Sequence, residues 1–188
     1  MSPRTGAARG ERPRGALRPL EEQDLELVLS WRNHPEVRRW MYTSHEIGLE
    51  EHRRWFKGAA VDASRFLLVY ELQGIPSGYV NLTMEEERPG SATWGFYLAP
   101  DAPLGSGRGL GRAALEFAFK SVGVEVLRRE ALASNLNSIA FHRRLGFSDA
   151  GQLEAHHRSP DGATHDVASF TLERAAWASA RDSRSDLK

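Results

Sequence analysis

The sequence predicts one α/β domain, and three observations carry that reading. Segments with strand and helix periodicity alternate along the chain, and no internal repeat interrupts them. At 188 residues the chain is long enough for one proper core with polar ends. A glycine-rich turn, Ser106-Gly107-Arg108-Gly109-Leu110-Gly111-Arg112-Ala113, falls directly after a strand and its loop and directly before a helix. Residues 1–16 are rich in Arg, Pro and Gly and hold little to bury, so they read as a disordered tail. Residues 17–177 are then the folded domain, and residues 178–188 a second polar tail.

Each element has its own warrant. Residues 17–19 make a short first strand, and residues 22–31 a helix with Leu25, Val28 and Leu29 on one face. Pro35 suits the first turn of a short helix over 35–40, and a third helix follows over 49–56. Strands over 65–72, 78–84 and 92–98 are separated by turns at Gln73-Gly74 and Arg88-Pro89-Gly90. A helix over 110–122 turns Leu110, Ala114, Phe117 and Ala118 toward a sheet. After a strand over 127–133, Asn137 or Ser138 caps a helix that Gly146 stops. A hairpin over 152–158 and 164–172 turns at Ser159-Pro160-Asp161-Gly162.

Composition removes several classes of function. Lys and Arg together number 25, as do Asp and Glu, so no overall field points to nucleic acid or a membrane surface as partner. Arg4, Arg9, Arg12 and Arg14 lie in the leader, where solvation is the ordinary state of such residues. The chain has no cysteine, hence no disulfide and no thiolate nucleophile, which fits the cytoplasm. No stretch has the apolar length of a membrane helix, and the start of the chain lacks the apolar core of a signal peptide. His156, His157, His165 and Asp166 sit across the last hairpin, but adjacent strand histidines point to opposite faces, so no metal site is expected.

The glycine-rich turn has a chemistry of its own. Glycines at a strand-to-helix junction let backbone N–H groups converge, and the helix dipole adds positive potential, so the place suits a phosphate or pyrophosphate. No Gly-Lys-Ser/Thr follows, and the context is not an N-terminal dinucleotide-binding unit. Downstream lies Asn135-Leu136-Asn137-Ser138-Ile139-Ala140-Phe141-His142-Arg143-Arg144-Leu145-Gly146-Phe147. Together the two segments resemble the acyl-CoA-binding half of the GNAT N-acetyltransferases. In that superfamily a Gln/Arg-x-x-Gly-x-Gly/Ala loop precedes an Asn-x-x-Ala/Ser…Tyr…Leu-Gly-Phe segment. Ser106 stands where the Gln or Arg is usual. The order of elements agrees over residues 17–177. The resemblance implies a mixed, mostly antiparallel central sheet flanked by helices, with one splayed strand pair.

It also implies acetyl-CoA as co-substrate, lying in the splay as a pseudo-strand. Phe96, Tyr97 and Leu98 would present free backbone groups to the pantetheine arm. The amides of Gly107, Arg108, Gly109, Leu110 and Gly111 would hold the pyrophosphate, with charge from Arg108 and Arg112. Asn135 and Asn137 would bond the arm; Asn137 reads equally well as a helix cap. Transfer to an amine needs a neutral amine, a stabilised oxyanion and a protonated leaving thiolate. Without a cysteine, direct attack in a ternary complex is the simpler route. His142 stands where the superfamily commonly places a Tyr acid: either it donates the proton or it packs within its helix, and Tyr97 is the second candidate donor. The base is unassigned among Glu85, Glu86, Glu87 and water relayed by His34, His45 or a backbone carbonyl.

The acceptor must be chosen by the first third of the chain. There Trp31-Arg32-Asn33-His34-Pro35-Glu36-Val37, Trp40-Met41-Tyr42 and Trp55-Phe56 form a cluster too aromatic and basic to be core alone. Arg32, Arg38 and Arg39 suit a diphosphate. The run from Trp31 to Phe56, with Gly95-Phe96-Tyr97 and His165-Asp166-Val167, is similar to the N-acetyltransferases of pseudaminic acid biosynthesis. That likeness implies a small-molecule acceptor, a UDP-linked 4-amino-4,6-dideoxy sugar, lined by Arg32, Asn33, Met41, Tyr42, His45 and His52. A ribosomal-type N-terminal peptide acetyltransferase and a non-catalytic acyl-CoA-binding module are the alternatives. Either a monomer or a homodimer fits.

Overall fold

The computed structural model describes residues 15–158 and 162–185, with side chains through 181. Most of the leader, and the turn residues Ser159, Pro160 and Asp161, lie outside the described residues. The order is β1 (Gly15–Pro19), a 3-10 turn (Glu22–Asp24), α1 (Leu25–Asn33), α2 (Pro35–Arg38) and α3 (Leu49–Ala60). Next come β2 (Arg65–Leu72), β3 (Ile75–Met84), β4 (Ser91–Leu98) and α4 (Ser106–Glu116), which runs on through a π-helical stretch (Phe117–Val122). Then follow β5 (Val126–Leu132), α5 (Leu136–Leu145), β6 (Ser148–Arg158), β7 (Thr164–Glu173) and α6 (Arg174–Ser185).

The seven strands form one sheet in the order β1-β2-β3-β4-β5-β7-β6. Every neighbouring pair is antiparallel except β4 and β5. A parallel pair needs a crossover, and α4 supplies it. Leu110, Ala114 and Leu115 on α4 bury against Val80, Leu82, Trp94 and Leu127 of the sheet, forming the larger core. On the opposite face, Leu25, Val28 and Trp31 of α1 pack on Val69 and Tyr79. Helix α4 thus covers one face at the parallel pair, while α1 covers the other face over β2 and β3.

Several boundaries differ from the sequence reading, and three of them bear on packing or on the site. Gly15 and Ala16 belong to β1, paired with Leu72 and Glu71, rather than to the leader. Helix α4 opens at Ser106, four residues earlier than its apolar face indicates, because its first turn has only Ser, Gly and Arg to show. Residues 178–185, read as tail, lie in α6. That helix is anchored by one apolar residue: Trp177 packs on Phe119 at 5.1 Å between ring centroids, with the Arg181 guanidinium 4.7 Å from its ring. A single tryptophan leaves no periodic stripe for a sequence reading to find.

Candidate active site

The site begins where the parallel pair comes apart. β4 and β5 are in register at Ser91–Val126, Ala92–Leu127 and Thr93–Arg128 only. Beyond that point β4 stays with β3 as far as Leu98, and β5 stays with β7 as far as Leu132. Their facing edges, from Trp94 and Arg129 onward, carry backbone N–H and C=O groups outside the ladder, which need partners of their own. Arg129 stands in the fork and donates from Nη1 to Trp94 O at 3.2 Å, taking an acceptor that continued pairing would use. The divergence opens a cleft of about 560 Å³. It is walled by Arg32 and the segment from Glu36 to Thr43 on one side and by Asn135, Asn137, Ser138 and Phe141 on another.

At the mouth stands the N-terminus of α4. A helix leaves its first-turn amides without carbonyls one turn back. Those of Ser106 and Arg108 bond to Pro103 O and Gly105 O, and neither bond uses the N–H of Gly107, which lines the cleft. Gly109, Leu110 and Gly111 lie inside the helix, so their N–H groups belong to its own ladder and the sequence expectation of five converging amides narrows to the first turn. The later glycines serve packing. A Cβ on Gly109 would collide with the Tyr70 hydroxyl, and one on Gly111 would lie 2.9 Å from Leu145 Cδ1 and Phe141 Cζ. Arg108 and Arg112 are exposed, and Ser106 is buried with its hydroxyl donating to Pro103 O at 2.6 Å. Phe96, Tyr97 and Leu98 line the cleft. The helix cap is Asn135, whose Oδ1 accepts from Ser138 N at 3.0 Å. Asn137 is thereby left exposed at the cleft wall rather than spent on capping.

The acid role proposed for His142 does not survive its surroundings. The ring is fully buried, stacked on Phe170 at 5.2 Å and edge-on to Trp94 and Phe147. Its Nδ1 bonds to Ser138 O at 2.7 Å, so the proton sits there, and Nε2 is buried without a partner. Burial pulls its pKa down to about 4, helped by Arg129 and opposed by the bond to Ser138. A neutral ring with its one proton spent on a carbonyl has nothing to donate. Tyr97 is the candidate that reaches the cleft. Burial pushes its phenol well above the usual range, so the hydroxyl stays protonated, and its ring lies 5.1 Å from that of Tyr79.

On the acceptor side the structure divides the six expected residues. Arg32, Met41 and Tyr42 line the cleft; Asn33, His45 and His52 do not. Asn33 clamps the loop instead, donating to Ile47 O at 2.8 Å and accepting from Ile47 N at 2.9 Å. His45 faces solvent beside Glu51 at 3.1 Å. His52 is buried and stacked on Trp55, its pKa lowered by burial and by the charge of Arg32. Arg38 and Arg39 pair with Glu46 and Glu36, and His34 caps α2 by accepting from Glu36 N. Glu85 is bound by Arg88 and Arg128, away from the cleft.

The carboxylates that do line the cleft are Glu36 and Glu130. Tyr42 Oη donates to Glu130 Oε2 at 3.2 Å, and the Tyr42 ring stacks on His157 at 4.3 Å. Burial, the charge of Glu130 and that bond push the Tyr42 phenol up to about 12. Arg129 and Glu130 were missed by the sequence reading. Their signal was present as Arg128-Arg129-Glu130, three charges in the middle of an interior strand, where burial demands a reason for each.

Comparison with known proteins agrees with this architecture. A family model described as acetyltransferase (GNAT) domain matches residues 14–148. Acetyltransferase PseH from Campylobacter jejuni subsp. jejuni serotype O:23/36 (strain 81-176) is 29% identical over 132 residues, 69% of this chain and 80% of that protein. PseH from serotype O:2 of the same subspecies is 28% identical over the same length. Among solved structures, a spermidine N-acetyltransferase from Vibrio cholerae, in complex with CoA and spermine, superposes with a TM-score of 0.80 at 20% identity. That match covers 88% of this chain and 98% of the other. Aminoglycoside acetyltransferase AAC(6')-Ib in complex with coenzyme A and kanamycin gives 0.74 at 24% identity, covering 89% and 99%. The shared fold is a mixed seven-stranded sheet flanked by helices.

Proposed function

The chain belongs to the GNAT acetyltransferase family, and from that premise we propose that it moves an acetyl group from acetyl-CoA to the amine of a nucleotide-linked amino sugar. The observation that carries the acceptor assignment is that Arg32, Met41 and Tyr42 meet the open edge of β4 in one cleft. These are residues through which the sequence is similar to the pseudaminic acid enzymes, and the likeness to PseH supports the same class.

The cleft fits the donor. The first turn of α4 at Gly107 suits a pyrophosphate, and the free backbone edge of β4 suits an amide-bearing arm. Acetyl-CoA supplies an activated acyl group; the chain supplies the rest. Arg32 Nη1 is buried without a partner while Nη2 donates to Thr43 O at 2.8 Å, leaving charge available to a diphosphate. Glu130, held by Tyr42, is the carboxylate placed to receive the amine's proton. Tyr97 lines the cleft with its phenol protonated, which makes it a hydrogen-bond donor there. With no cysteine in the chain, the amine attacks the thioester directly in a ternary complex.

The same two carboxylates, Glu36 and Glu130, give the peptide reading its one specific support, since an α-ammonium also seeks negative charge. The purified protein is therefore incubated with acetyl-CoA and either a UDP-4-amino-4,6-dideoxy sugar or a ribosomal-type N-terminal peptide, and thiol release is followed. Release with the sugar alone is expected. Release with the peptide alone overturns the acceptor assignment, and silence with both, alongside CoA binding by calorimetry, indicates a binding module.

A further inference from the structure

The deep end of the cleft holds a cation that the chemistry above leaves unused. Arg129 is the first β5 residue past the point where the strands part. Its Nη1 donates to Trp94 O, its Nε is buried without an acceptor, and the side chain lines the cleft. Glu130 and Tyr42 act on it through charge alone, without a hydrogen bond, and burial lowers its pKa. Arginine nevertheless stays protonated in proteins and carries five N–H donors. Arg129 is half-buried, and its buried Nε–H without an acceptor is costly to keep unless a ligand brings one.

The geometry also says which part of a donor would arrive there. Gly107 stands at the mouth, where an added Cβ would lie 3.7 Å from Leu98 Cδ1. A phosphate-bearing molecule held at that helix end by its phosphates points its other end inward, along β4 toward Trp94 and Arg129. For an acyl-CoA the other end is the thioester. Neutral His142 offers that end no proton, and Tyr97 alternates to the opposite face of β4 from Trp94.

We propose that Arg129 is a catalytic residue that holds the thioester sulfur and stabilises the leaving thiolate by charge. This rests on the acetyl-CoA reading and assigns it a further group. The amine nitrogen bonds to the carbonyl carbon and its proton passes to Glu130. The adduct then collapses, the carbon–sulfur electron pair moves to sulfur, and the thiolate pairs with Arg129. The proton taken by Glu130, relayed by water, reaches the sulfur afterwards and completes CoA. Charge at this position replaces prior protonation as the means of making sulfur leave.

The test uses free CoA, which carries the thiol itself and needs no acceptor. Thiolate absorbance of bound CoA is titrated against pH for the wild-type protein, Arg129→Met and Arg129→Lys. A thiol of this kind ionises near about 8.5 when free. Bound to the wild type it is expected to hold about tenfold more thiolate at neutral pH, to lose that excess in Arg129→Met and to keep part of it in Arg129→Lys. In turnover, Arg129→Met should lower kcat about a hundredfold with KM for acetyl-CoA little changed. A wild-type titration matching free CoA, or one unchanged in Arg129→Met, overturns the proposal while leaving the acetyl-CoA reading intact. If Arg129→Met does not fold, the comparison of wild type with free CoA still decides. Failure of CoA to bind the wild type at all overturns both.

Discussion

At the scale of single residues, His142 shows how a side chain with catalytic chemistry becomes a structural one. Its place in the sequence puts it on the α5 face that packs among Trp94, Phe147 and Phe170, and desolvation there removes its charge. The consequence for stability has a definite sign. The folded-state pKa of about 4 lies below the value of about 6.5 expected in the unfolded chain, so unfolding takes up a proton between those values. The neutral ring's contribution is complete above the unfolded value and is lost as pH falls toward the folded one, an effect of roughly 3 kcal/mol. Replacing His142 with Phe should therefore flatten the acid side of the stability curve, read as urea midpoints from pH 4 to 7, and leave neutral-pH turnover near wild type. A folded His142→Phe protein without turnover would return the acid role to this ring.

At the scale of elements, the first two turns of α4 combine two demands that look alike in sequence. Gly107 faces the cleft with ordinary space around a hypothetical Cβ, 3.6 Å from Phe141 Cε2, whereas Gly109 and Gly111 are pressed against Tyr70 and α5. An Asp at Gly107 is compatible with the helix start, where a carboxylate is worth about 0.3–1 kcal/mol. The same carboxylate should weaken CoA binding about a hundredfold, through like charge at the phosphate position. Gly109→Ala should instead cost about 1–3 kcal/mol of stability by overpacking, with CoA affinity following the folded fraction. Calorimetry paired with thermal unfolding separates the two; a Gly107→Asp protein that binds CoA normally removes this helix end from the donor site. In the sequence all three are simply glycines before a helix. Distinguishing them requires knowing that Tyr70 lies under one and Leu145 beside another.

At the scale of the molecule, the cleft exists because one parallel pair sits inside an otherwise antiparallel sheet. Each strand of that pair is held along its outer edge by an antiparallel neighbour, so the two can separate without losing the sheet. Helix α6 closes the far side of the larger core through Trp177 against Phe119. Trp177→Ala should lower stability by about 2 kcal/mol, less than for a fully buried tryptophan because this one is half-buried. CoA affinity should be unchanged, since α6 does not line the cleft. Thermal unfolding and calorimetry on this variant check both; an unchanged midpoint would make α6 an ornament of the fold.

The sequence alone determined what local chemistry dictates. Strand and helix alternation, the glycine turn before α4, the Asn-rich start of α5 and the Gly146 stop are all set by φ/ψ freedom, capping and periodicity within a few residues. These motifs were enough to identify the family, and of the residues singled out with them Phe96, Tyr97, Leu98, Gly107, Arg32, Met41, Tyr42, Asn135 and Asn137 line one cleft. Only the tertiary structure decided what each polar side chain meets. It turned Asn33 into a loop clamp, His142 into a core ring and Asn135 into a cap, and it brought Glu130 to Tyr42 across 88 residues of chain. The physical reason is that protonation and reactivity follow burial and partners, and both come from residues far away in sequence.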